Sequence, residues 1–552
     1  MVGDAHPTTI NYPLSTINCY MLPNWQNLSL KERIGQMVVV RASGYLFDHQ
    51  IRYPSWEPPA AKLRGWLQNL NLGGVILLGG SGAELSLRVE QLQSWCDIPL
   101  LVAADIEEGV GQWFEGANRF PPPMALGSIA ATNPQLARTY ASQMGAITAK
   151  EALALGINWI LAPVVDVNNN PNNPVINVRS FGDNPSNVSE LAATFIQGAK
   201  QYPLLTTAKH FPGHGDTATD SHLHLPVLPH SAKRLAEIEL PPFERAIAAG
   251  VDSVMSAHLL IPAWDEHRPA TLSPAILREQ LREKLGFEGL IVTDALIMGG
   301  VANNNSPEEV AIMAVEAGND ILLMPPDPEV AINAVYEAVQ SGRLTSERID
   351  NSLERIWRAK SKVIQPHPPG DFLTQIAQPE ARSLSAAIVR DSMVLGGNFP
   401  LKPAENGEKR LNFVLVDDLL NCNFLGRHVP AVTIPQQLGY EIQLADQNNL
   451  VLTEVSSSKT LLQVFIRGNP FRGTAGLNPR TEALLQQLFQ EGSIEGLILY
   501  GSPYILDWLG EKMPPELPWV FSYGQMEIAQ AIALQSLFNL SELAESKPET
   551  FL

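Results

Sequence analysis

Residues 204–226 read LLTTAKHFPGHGDTATDSHLHLP, a short apolar run that stops abruptly in a segment dense with groups able to carry protons or hold hydroxyls. Lys209, His210, His214, Asp216, Asp220, His222 and His224 all fall here, broken by Pro212, Gly213 and Gly215, which favour a loop over the interior of a helix or strand. This is the pattern of a buried strand that carries a chemical loop at its C-terminal end. The theme recurs on both sides: IPLLVAAD (98–105) ends in Asp105, with Glu107 and Glu108 just beyond, VDSVMSAHLL (251–260) carries His258, and GLIVTDALIMGG (289–300) carries Asp294. GGVILL (73–78), INWILAPVVDV (157–167) and DILLMPP (320–326) are further apolar runs of the kind a parallel strand covered on both faces requires. Stretches of helical spacing stand between them, among them NPQLARTYASQMGAITAKEALALG (133–156) and SERIDNSLERIWRAK (346–360). Such alternation predicts an α/β chain whose first domain is a (β/α)8 TIM-type barrel over residues 28–364, with Asp105, Lys209, His210, His258 and Asp294 at the strand ends that face a barrel's functional mouth.

Further out, Ser29 and Glu32 form a capping-box pattern that opens a helix read over LKERIGQMVVV (30–40), and residues 1–27 read as an irregular extension. QPHPPGDF (365–372) opens a Pro- and Gly-rich linker, 365–379. Beyond it LNFVLVDD, TLLQVFIRG, IEGLILYG and PWVFSYG alternate with helices such as RTEALLQQLFQEG, so residues 380–552 are expected to form a smaller α/β domain with an open parallel sheet. Gly79, Gly80 and Gly82 stand between a strand and a helix, but Leu85 breaks the G-x-G-x-x-G pattern and no dinucleotide site is expected.

The 552 residues are 45% hydrophobic and 17% charged, the balance of a folded globular protein. A formal net charge of −19 repels a phosphate backbone and argues against a nucleic-acid partner. No apolar run is long enough to span a bilayer. Cys19, Cys96 and Cys422 lie far apart and are odd in number, so no disulfide framework is suggested, and the N-terminal stretch lacks the features of a secretory signal, so a cytoplasmic location is expected, with a monomer as the default state.

Within the central loop, Asp220 stands two residues before His222, where a carboxylate can accept the imidazole N–H, fix its tautomer and ready the other ring nitrogen for proton transfer. The motif K-H-F-P-G-H-G-D-T-x-x-D-S-H, residues 209–222, resembles the signature of the β-N-acetylglucosaminidases of glycoside hydrolase family 3. N-P-x-N-P-V-I-x-x-R-S-F-G (170–182), A-G-V-x-S-V-M-x-A-H (249–258), P-A-T-L-S (269–273) and T-D-A-L-x-M-G-G (293–300) resemble blocks of the same family. The resemblance implies Asp294 as a nucleophile, Asp220 and His222 as an acid/base dyad, and Asp105, Arg179, Lys209 and His210 as sugar-binding residues. It implies a retaining exo-enzyme with no metal or organic cofactor, acting on a small carbohydrate such as a chitooligosaccharide end or a muropeptide. Lys209 is the cation expected to keep Asp294 ionised. Residues 105–114, D-I-E-E-G-V-G-Q-W-F, depart from the family block, with Val110 and Trp113 where arginines usually stand; Trp113 is read first as a core residue, with stacking on a sugar face as the other reading.

Other functions fit parts of the pattern. His210, His214, Asp216, His222 and His224 could ligate a metal in a metal-dependent hydrolase, although their spacing matches no common zinc pattern and no cysteine assists. A phosphorylase would use the same imidazole, which does not repel phosphate as a carboxylate would; a β-glucosidase of the same family and a silent sugar-binding protein are the remaining readings.

Overall fold

The structure is a computed structural model that describes residues 22–303, 305–364, 372–403, 408–447, 458–468, 473 and 475–540. The capping box forms as the sequence predicts: Ser29 Oγ accepts from the Glu32 amide and Glu32 Oε2 accepts from the Ser29 amide at 2.7 Å. The helix is shorter than expected and ends at Gln36. Val38, Val39 and Val40, whose branched side chains favour extended backbone, instead open the first strand, buried on both faces.

Eight parallel strands follow: β1 (Val38–Ser43), β2 (Gly74–Leu78), β3 (Leu101–Ala104), β4 (Trp159–Ile160), β5 (Thr207–Phe211), β6 (Ser253–Ser256), β7 (Leu290–Thr293) and β8 (Leu322–Leu323). β4-β3-β2-β1-β8 and β5-β6-β7 form two hydrogen-bonded sets. Parallel bridges Trp159↔Leu205 and Val164↔Lys209 join β4 to β5, and Val292↔Ile321 joins β7 to β8, so the ring closes. The expected (β/α)8 barrel is therefore present. Its circular order sets β3 opposite β7, with β5 a quarter turn from each. At the opposite end of the barrel from this mouth, buried Lys360 donates to Gln36 Oε1 and the Pro99 carbonyl, both at 2.7 Å, and burial pushes its pKa down to about 7.

The second sheet is ordered β11-β10-β12-β13-β14-β9, with β9 (Val394–Gly396), β10 (Arg410–Val416), β11 (Tyr440–Asp446), β12 (Lys459–Ile466), β13 (Ile494–Gly501) and β14 (Trp519–Ser522). Five strands are parallel as expected, and the edge strand β9 runs antiparallel to β14. Residues 365–371 of the expected linker and 1–21 of the N-terminal extension lie outside the described residues; within the linker Phe372–Thr374 form a 3₁₀ turn. Beyond β13, Tyr504 accepts from Asn168 Nδ2 of the barrel at 2.8 Å, so this end of the second sheet meets the barrel's mouth. Among the described residues no helix is long and apolar enough to cross a membrane.

Candidate active site

Asp294 follows β7 directly, where its amide donates to the Ser256 carbonyl and its Oδ1 accepts from the Ala295 amide at 2.7 Å. Burial by itself would raise its pKa, but the imidazoles of His258, His210 and His222 and the Ala295 N–H outweigh it and hold the carboxyl below its ordinary range. The cation expected in that role, Lys209, is engaged elsewhere: its Nζ lies 2.6 Å from both Asp105 Oδ1 and Glu107 Oε1. Charge separation explains the difference, since a buried ammonium is held by the carboxylates nearest to it across β3 and β5.

Around Glu107 the site is a buried ion network. Arg179 donates from Nε to Glu107 Oε2 at 2.8 Å and from Nη2 to Oε1 at 2.7 Å, and its Nη1 donates to the Val175 carbonyl. Burial would raise the pKa of Glu107, and these two cations drive it far below the carboxylate range instead. Desolvation would lower the Lys209 pKa, yet Asp105 and Glu107 raise it, so the amine stays protonated. Asp105 is the exposed member of the group, its side chain 41% accessible, and is thus the carboxylate that reaches into the open mouth.

His210, next on β5, sits with Nδ1 2.8 Å from Asp166 Oδ2. Asp166 also accepts from the His210 and His214 amides and is itself fully buried. Burial alone would raise the Asp166 pKa; His210, His214 and these amides bring it down. His214 is enclosed by Ser221 Oγ and Thr217 Oγ1, each 2.9 Å from a ring nitrogen, and burial lowers its pKa to about 4.

His222 Nδ1 lies 2.8 Å from Asp220 Oδ1, which also accepts the His222 amide at 2.9 Å. Asp220 is buried while His222 is 18% exposed, so the imidazole faces the mouth with the carboxylate behind it. The loop is bound to the end of β7. The Gly299 amide donates to the His222 carbonyl and the Gly300 amide to the Ser221 carbonyl. A Cβ on Gly299 would come within 2.6 Å of the Leu223 carbonyl oxygen, and one on Gly300 within 3.0 Å of the Ser221 oxygen. The paired glycines of T-D-A-L-x-M-G-G are thus the surface on which the D-S-H loop rests.

His258 is fully buried, with Nδ1 2.8 Å from Thr271 Oγ1 and Nε2 donating to the Ala295 carbonyl at 3.0 Å. Burial lowers its pKa, and the imidazole braces the Asp294–Ala295 corner from behind. Trp113 is not a core residue: it is 38% exposed, because its indole N–H is drawn to the Asp105 carbonyl at 2.7 Å at the rim of the mouth, while Val110 beside it is fully buried. His224 is exposed, and Asp216 turns away to His230 and Arg234. Among the described residues no group of three or more His, Cys, Asp or Glu side chains is arranged to hold a metal ion.

Two residues of this network, Asp166 and Glu107, were not singled out from sequence. Asp166 ends an apolar run just as Asp105 and Asp294 do, and that shared pattern was the available signal. Glu107 stood in plain view beside Asp105, but nothing local separates it from Glu108.

Comparison with known proteins agrees with this architecture. Residues 29–359 match the glycosyl hydrolase family 3 N-terminal domain and 403–539 the bacterial glycosyl hydrolase family 3 C-terminal domain. A beta-hexosaminidase A from Pseudoalteromonas piscicida is 30% identical over 458 residues, 75% of this chain and 73% of its own length. A beta-hexosaminidase from Tolumonas auensis is 38% identical over 268 residues, 48% of this chain and 78% of its own. The structure of a family 3 beta-N-acetylglucosaminidase from Paenibacillus sp. str. FPU-7 superposes with a TM-score of 0.77 at 28% identity, covering 93% of this chain and 97% of that one. The protein is a two-domain barrel enzyme of the glycoside hydrolase class. It belongs to glycoside hydrolase family 3.

Proposed function

We propose that the enzyme is a retaining exo-β-N-acetylglucosaminidase, acting on the terminal sugar of chitooligosaccharides or of muropeptides in the cytoplasm. The observation that carries this is the 2.8 Å contact between Asp220 and His222 on a loop bound to the glycines that follow Asp294. In the first step an Asp294 carboxylate oxygen attacks the anomeric carbon while protonated His222 gives its proton to the departing glycosidic oxygen, leaving a glycosyl-aspartate and a free alcohol. In the second, neutral His222 takes a proton from water, the resulting hydroxide attacks the same carbon, and Asp294 leaves as a carboxylate. Asp220 holds the imidazole in the tautomer with hydrogen on Nδ1 and balances its charge when protonated. Asp105, Arg179, Lys209 and His210 would hold the sugar hydroxyls, and Trp113 offers an apolar face at the rim beside Asp105.

Hydrolysis of p-nitrophenyl N-acetyl-β-glucosaminide and of the glucoside, in EDTA, by wild type, Asp294→Asn and His222→Ala tests the assignment. Cleavage of the N-acetyl substrate by wild type alone is expected; preference for the glucoside, or activity only after zinc or manganese is added, refutes it. A phosphorylase reading is favoured by one feature, an imidazole rather than a carboxylate at the acid/base position. Formation of N-acetylglucosamine 1-phosphate on adding phosphate identifies it.

A further inference from the structure

The second domain reaches the sugar-binding network through the segment that follows β12. Arg467, the first residue after β12, places Nη1 2.7 Å from Glu108 Oε1, and Arg119 places Nη2 2.8 Å from Glu108 Oε2. Glu108 is 1% exposed and directly follows Glu107, the carboxylate that holds Arg179 and Lys209. In this corner three carboxylates, Asp105, Glu107 and Glu108, are matched by four cations, Lys209, Arg179, Arg119 and Arg467. Burial would raise the pKa of Glu108, and Arg467 and then Arg119 lower it. The next residue, Gly468, lies so close to the Asn-rich loop that an added Cβ would be 2.8 Å from Asn177 Cβ and 3.1 Å from the Pro174 carbonyl oxygen. Arg179 is two residues beyond Asn177, and its Nη1 is bonded to Val175 in the same loop. Asn177 itself has φ 44°, a left-handed conformation that its surroundings must hold in place. The segment after β12 therefore meets both sides of the clamp around Arg179: the Glu107–Glu108 dipeptide on one side and the 174–177 turn on the other.

We propose that Arg467 and Glu108 are positioning residues, through which the second domain sets the placement of Arg179 and Lys209 for substrate. This rests on the N-acetylglucosaminidase reading above. Glu108 is a buried carboxylate held between Arg119 of the barrel and Arg467 of the second domain, so the placement of its side chain depends on both domains.

The test compares wild type with Arg467→Met, Arg467→Lys and the double variant Glu108→Gln/Arg467→Gln, all as full chains. Three quantities are measured: KM and kcat on p-nitrophenyl N-acetyl-β-glucosaminide, the Kd of N-acetylglucosamine by calorimetry, and the thermal midpoint. For Arg467→Met, KM and Kd are expected to rise about tenfold, the scale of one misplaced charge-assisted contact, with kcat per folded molecule changed less than about threefold. Arg467→Lys is expected to recover much of the affinity, and the double variant, which removes both charges, to lie between. A mere tether between domains would lower the midpoint and the active fraction, hence kcat, at unchanged KM and Kd; that result overturns the proposal. Wild type that binds N-acetylglucosamine but turns nothing over refutes the enzymatic reading alone, and the Kd comparison then decides the role of Arg467. Wild type that neither binds nor cleaves refutes both.

Discussion

Replacing Asp220 by Asn removes a charge without removing a shape. Both bonds that organise the dyad, from His222 Nδ1 at 2.8 Å and from the His222 amide at 2.9 Å, end on Asp220 Oδ1, which an asparagine retains as its amide oxygen. What disappears is the attraction between a carboxylate and the imidazolium formed each time His222 holds a proton. For charge centres about 4 Å apart at an effective dielectric near 20 this is about 4 kcal/mol. With His222 18% exposed, solvent screening brings it to about 2 kcal/mol. That is about 30-fold in rate for a step that depends on the imidazolium. N,N′-diacetylchitobiose, whose leaving hydroxyl needs a proton, is therefore expected to lose about 30-fold in kcat/KM, while the p-nitrophenyl glycoside, whose phenolate departs unaided, loses less than about threefold. Azide, a nucleophile that needs no base, is expected to speed turnover of the glycosyl-enzyme in this variant. Equal losses on both substrates, or none on chitobiose, would falsify the assignment of Asp220 to proton transfer through His222.

Three further outcomes are expected. Gly299→Ala pushes a methyl group to within 2.6 Å of the Leu223 carbonyl oxygen, so it is expected to cost about 1–3 kcal/mol in stability and to lower kcat by displacing the His222 loop, as thermal unfolding and steady-state kinetics check. In the proposed mechanism Asp294 attacks as a carboxylate, and its pKa is depressed, so the acid limb of kcat/KM is expected below the ordinary range of an aspartate, and His210→Gln, which removes one of the depressing imidazoles, is expected to move that limb upward. His214 titrates near 4 when folded against 6.5 in an unfolded chain; the unfolded state therefore takes the proton first, and stability falls as pH drops through 6.5 and levels off below about 4. The loss amounts to about 3 kcal/mol, and urea midpoints at pH 7.5 and 4.5 are expected to differ less in His214→Gln than in wild type.

What could be read in the chain alone was whatever local sequence controls. Apolar runs ending in Asp105, Lys209 and Asp294 announce buried strands with polar tips, because a parallel strand covered on both faces cannot afford charge before its end. Their alternation with helices leaves a closed barrel as the economical way to cover every strand. The Asp220–His222 contact spans two residues, so its geometry is nearly a property of one turn. Tertiary structure decided the rest, and the reason is distance along the chain. Lys209 lies 104 residues from the Asp105 that captures it, Arg179 is 72 from Glu107, and His210 is 44 from Asp166. Each of those pairings is set by which strand ends closure brings side by side, and no local pattern reports that register. The same holds for Trp113, whose hydrophobic side chain gives no sign that its N–H is held at the rim, and for Glu108, whose buried charge is met by Arg119 on one oxygen and by Arg467 of the second domain on the other. Burial of a charge can be inferred only with its partner in view, because desolvation decides against it unless an opposite charge stands within hydrogen-bonding distance.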